Sequence, residues 1–166
     1  MSSPSVEEKP LSIVHVKMTT PRPYSHVTRF IESHLGRLTD SIRRLAEQRE
    51  TEQLRAALAR AAGIYGLALH YTAAHGRLLQ LEGAEQPLVA YSIGNVLLSE
   101  QMAKVDFATG LYAPLRVVIY GNAEGGTTLE YDKPSSLFGQ FQDPRIDAVA
   151  ATLDSRLDTL LRAAAT

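Results

Sequence analysis

The chain has 166 residues, 45% of them apolar, enough for one buried core and too few for two ordinary domains. Its 17 basic and 18 acidic residues nearly cancel, and the basic ones are scattered among acids, so no positive stripe points to nucleic acid. The absence of cysteine excludes disulfides, thiolate zinc sites and cysteine nucleophiles, and no stretch approaches the roughly 18 apolar residues of a membrane span.

Residues 1–10 are rich in Ser, Pro and Glu and lack the apolar core of a signal peptide, so they read as a flexible tail on a cytoplasmic, soluble protein. A single domain is expected over residues 11–164. Residues 11–19 alternate, with Val14, Val16 and Met18 on one side and Ile13, His15 and Lys17 on the other, the period of a half-buried strand. Pro21 and Pro23 break that run. Val27, Phe30, Ile31, His34 and Leu35 then recur at helical spacing until Gly36 stops the helix. Two short amphipathic patterns, one with Ile42 and Leu45 and one opened by Thr51 and carrying Leu54, Ala57, Leu58 and Ala61, predict a helical pair over residues 39–62.

Residues 64–71 are apolar and read as a strand, and 74–81, with His75-Gly76, read as a short helix or turn ended by Gly83. Another strand is expected over 88–93. Gly94-Asn95 then passes the chain into a helix carrying Leu98, Met102 and Val105. Val117–Tyr120 and Thr127–Tyr131 flank a Gly/Asn-rich loop, which predicts an antiparallel hairpin. Asp143-Pro144 is a cap followed by a first-turn proline, and Ile146, Val149, Ala150, Leu153, Leu157, Leu160 and Leu161 form the stripe of a long C-terminal helix. The expected architecture is α+β: one antiparallel sheet of about five strands with its helices packed mainly on one face.

Candidate functional residues sit around these elements. Asn95 reads first as a helix cap, and second as part of a helix start whose free amides hold an anion or a carbonyl oxygen. His75 is the titratable residue best placed to shuttle a proton at a sheet rim; metal or heme ligation through it is disfavoured, since His70 stands five residues away rather than at the i, i+4 spacing of a helical zinc pair. Glu130 and Asp132 share one strand face and would make a carboxylate pair, although solvated strand-end charges are the commoner case. Arg116, inside an apolar strand, calls for a carboxylate such as Glu130 or an anionic ligand. Residues 135–141 read as a loop carrying three large apolar side chains that must cover a pocket or an interface. No phosphate loop, nucleophile elbow or dinucleotide fingerprint is present.

Gly94-Asn95, the run from Tyr112 through Arg116 to Tyr120, and Tyr131-Asp132-Lys133-Pro134-Ser135-Ser136-Leu137 together resemble a bacterial family catalogued as a domain of unknown function, numbered three hundred and two. The resemblance covers most of residues 11–164 and implies a TATA-binding-protein-like α+β fold, with residues 39–62 as an insertion acting as a lid, a partner surface or extra core cover. The chain departs from the family in Val96, where proline is usual, and in Ala74, where an aspartate usually precedes the histidine; an Asp-oriented imidazole is therefore not expected. Three functional readings follow. The first is a non-catalytic, dimeric domain holding a small apolar or amphipathic molecule between sheet and helices, with Tyr91, Asn95, Tyr112, Arg116, Tyr131 and Phe138 at the ligand. The second is an enzyme of isomerase or lyase type, with His75 as acid or base and Asn95 or Arg116 stabilising negative charge. The third is an oligomerisation or partner-binding module using residues 39–62.

Overall fold

The computed structural model describes residues 3–83 and 86–166. Residues 3–10 are exposed and form neither helix nor strand, and the rest of the expected tail lies outside the described residues. Six strands make one sheet: β1 (His15–Thr20), β2 (Gly36–Arg37), β3 (Ala68–Ala73), β4 (Leu88–Gly94), β5 (Leu115–Gly121) and β6 (Thr127–Asp132). Their spatial order is β1-β6-β5-β4-β3-β2. Neighbours are antiparallel except β2 and β3, which run parallel. The sheet is thus six-stranded and mixed, which corrects the expectation of about five antiparallel strands. The extra strand is β2, whose two residues are too few to show alternation. Gly36 is needed there because a Cβ would overlap the carbonyl of Ala61, where the chain turns back toward β3.

A second correction concerns residues 64–71. The strand begins only at Ala68, because Gly63 and Gly66, at φ +62° and +67°, make the preceding segment a turn that leaves Ile64 77% exposed. The helices are α1 (Tyr24–His34), α2 (Asp40–Glu47), α3 (Thr51–Arg60), α4 (His75–Leu78), α5 (Val96–Ala103), α6 (Pro134–Phe138) and α7 (Pro144–Ala165). Asp143 caps α7 by accepting from the Arg145 amide at 2.9 Å, as its place before a proline suggests. One face of α7, from Ile146 to Ala164, is buried against the sheet and against Val27 and Ile31 of α1. Val89, Tyr91, Ile93, Val117, Ile119 and Leu129 supply the sheet's side of that core, each buried aliphatic side chain contributing roughly 1.5–3 kcal/mol. Residues 135–141 form α6 and a 3-10 turn rather than a loop, and Phe138 is wholly buried.

Strand residues alternate in direction, so those between the core positions point the other way. His15, Lys17, Arg116, Val118, Tyr120, Glu130 and Asp132 all stand on that second face, exposed or half-buried. The fold therefore has one face packed under helices and one left open.

Candidate functional site

The open face is built from strand register. His15 lies opposite Asp132 and Lys17 opposite Glu130 across the β1–β6 pair, while Glu130 lies opposite Val118 across β5–β6. Cross-strand neighbours stand close enough for side chains to meet. His15 accordingly bridges two carboxylates, with Nδ1 2.9 Å from Asp132 Oδ1 and Nε2 2.8 Å from Glu130 Oε2. The Tyr120 hydroxyl donates to the other Glu130 oxygen, and Lys17 Nζ stands 3.6 Å from it. Hydrogen bonds to Asp132 and then Glu130 raise the His15 pKa, so the imidazolium form, donating from both nitrogens, is favoured. Glu130 is lowered, chiefly by the Tyr120 hydroxyl and then by His15, and the Tyr120 phenol is raised in return.

Beside this network lies a cleft of about 400 Å³. Ala90 and Val118 give it apolar surface, Tyr120, Glu130, Asp132 and His15 form one side, and Arg116 and His75 complete it. Arg116 pairs with Ser92 of β4, is exposed, and among the described residues has no carboxylate within 4.0 Å. Glu130, the partner expected for Arg116, is engaged instead by Tyr120, His15 and Lys17. His75 opens α4 and is exposed. Its neighbour Gly76 has a packing reason, since a Cβ there would overlap the Gln86 carbonyl oxygen. His75 makes no hydrogen bond to another cleft side chain among the described residues.

The structure brings together the catalytic candidate His75 and, from the expected ligand residues, Arg116 and Tyr131, Tyr131 bordering the cleft while its ring lies in the core. The others go elsewhere. Asn95 Oδ1 accepts from the amides of Leu97 and Leu98, and its Nδ2 donates to the Gly66 carbonyl at 2.8 Å, so this side chain is spent on capping α5 and tying it to the turn before β3. Tyr112 stacks edge-on against Phe138 and Phe141. Phe138 is sealed in the core. Tyr91 is on the helix-covered face, where its hydroxyl donates to Glu32 Oε1 at 2.6 Å beside a second cleft. His15, Lys17, Tyr120 and Glu32 are site residues that no sequence motif marks; for His15 and Lys17 the available signal is their place on the polar side of the first strand.

Among the described residues no group of three His, Asp or Glu side chains is arranged to hold a metal ion, and both nitrogens of His15 are already committed to carboxylates. No helix among them is long and apolar enough to cross a membrane. A family model described as "Domain of unknown function DUF302" matches residues 43–164. No curated protein matches the chain. Among solved structures, the chain is similar to the uncharacterized conserved protein DUF302 from Bacillus stearothermophilus, with a TM-score of 0.63 and 18% identity over 92% of this chain and 98% of that one. At that identity the likeness speaks to the fold.

Proposed function

The chain belongs to the DUF302 family, whose description names no function, and we propose from its geometry that it binds a small amphipathic anion, without catalysis, on the open face of its sheet. One observation carries this: Arg116 is a cation without a carboxylate partner among the described residues, set beside the apolar surface of Val118 and Ala90 in one cleft. The neighbouring carboxylates are paired with His15 and Lys17, and Glu130 also accepts from the Tyr120 hydroxyl, so an incoming anion meets less repulsion than two free carboxylates would exert. The anionic group would pair with the guanidinium while the apolar body lies over Val118 and the Tyr120 ring.

The test is a calorimetric titration with octanoate against wild type and Arg116→Ala. Saturable binding that weakens about tenfold or more in the variant is expected, the scale of one charge-assisted contact. Equal binding by both proteins, or no binding to either, would sink the reading. The acid–base alternative rests on His75 sharing the cleft with Arg116. It predicts turnover of a bound carboxylate that His75→Ala abolishes without weakening binding. The reading includes a homodimer, for which Phe107 and Leu111, 90% and 78% exposed on one 3-10 turn, supply apolar surface. Light scattering giving the mass of a single chain would remove that element. The TATA-binding-protein-like topology belongs to the same reading, supported by a sheet covered on one face by a long C-terminal helix.

A further inference from the structure

On the helix-covered side a larger cleft, about 620 Å³, opens between α1 and the connection from β3 to β4. Tyr24, Thr28 and Glu32 line it from α1, at the i, i+4, i+8 spacing that sets side chains along one helix face. Tyr91 meets them from β4. Its ring is 1% exposed, and its hydroxyl donates to Glu32 Oε1 at 2.6 Å. Burial, then the hydrogen bond to Glu32, raises the Tyr91 phenol, so this donor keeps its proton at neutral pH and holds the carboxylate in place. Among the described residues Glu32 Oε2 then has no partner, while the Thr28 hydroxyl is turned back onto the Tyr24 carbonyl at 3.0 Å. Arg77 also lines the cleft and forms no ion pair among the described residues. Leu88 and Val89 supply apolar surface in the same cleft. One oriented carboxylate, one guanidinium with no ion-pair partner among the described residues, and an apolar wall thus share a single concavity.

We propose that this cleft binds a small zwitterion, an α-amino acid with an apolar side chain, its ammonium group on Glu32 and its carboxylate on Arg77. The half-buried Tyr24 ring offers aromatic surface near the ammonium, and the apolar side chain lies chiefly against Leu88. An amine alone would leave Arg77 unpaired, and an acid alone would leave Glu32 unpaired, so the two charges together select for a molecule carrying both. This site is independent of Arg116, which stands on the other face of the sheet.

The experiment is isothermal titration calorimetry of the full chain carrying Arg116→Ala, so that the open-face anion site contributes no heat, with L-leucine and L-phenylalanine beside 2-phenylethylamine and N-acetyl-L-phenylalanine, each of which lacks one charge. Saturable binding of the amino acids is expected, with the two controls at least about tenfold weaker. Glu32→Gln keeps an acceptor for Tyr91 but removes the charge, and Arg77→Ala removes the other; each should weaken amino-acid binding about tenfold or more while thermal unfolding stays cooperative. The proposal is overturned by no saturable binding of either amino acid, by equal binding of a control, or by unchanged affinity in either cleft variant.

Discussion

His15 illustrates what a single side chain contributes on an exposed sheet face. It is held by Asp132 and Glu130, and those bonds raise its pKa above the ordinary 6.5. A group whose folded-state pKa is raised stabilises fully below its unfolded value, and that stabilisation is lost as pH rises through the folded pKa. Glu130 acts in the opposite sense: its pKa is depressed from 4.5, so its contribution is present above that value and lost as pH falls through the folded one. The network is therefore strongest between the two. His15→Gln should lower the melting temperature most between about pH 5 and pH 6.5, and the difference from wild type should shrink as pH rises further. A melting series in dilute buffer checks this, since salt screens exposed charges. A difference that grows toward high pH would contradict the imidazolium assignment. The sequence made the Glu130–Asp132 pair visible through its i, i+2 spacing, but not its histidine, because His15 is 115 and 117 residues away and only the β1–β6 register joins them.

Elements with strong local signals form as the sequence implies, and the departures occur where signals are short or ambiguous. Asp143-Pro144 starts α7, and the Gly/Asn-rich stretch closes the β5–β6 hairpin, because capping and turn chemistry act within a few residues. An apolar run such as 64–71 does not distinguish strand from turn, and there two glycines at positive φ decide the matter. Asn95 shows the same locality. It satisfies two free amides of α5 and also binds Gly66, joining the helix to a turn 29 residues earlier. Asn95→Ala should cost about 1–2 kcal/mol in urea unfolding, the scale of a lost cap, and leave octanoate and amino-acid affinities unchanged. An undiminished stability with weakened binding would instead make Asn95 a ligand residue.

At the scale of the molecule, stability is unevenly shared. α7 buries eight residues and spans the core, whereas α2 and α3 bury none fully and are held to the rest in part by Arg55, whose guanidinium donates to both oxygens of Glu100 at 3.0 and 3.2 Å. That ion pair is exposed, and such pairs contribute only about 0–1 kcal/mol. The helical pair can therefore open without exposing the core, while α7 cannot open without losing it. Hydrogen exchange read by mass spectrometry should show residues 40–60 exchanging through local openings well before α7, whose amides should exchange only with global unfolding. Matching protection in the two regions would mean that a partner covers the helical pair in solution. The same contrast explains why the sequence left residues 39–62 open between lid, partner surface and core cover. Half-buried amphipathic helices carry one pattern in all three cases, and what separates them is how firmly the pair is attached, which depends on contacts to α5 that the local sequence does not encode.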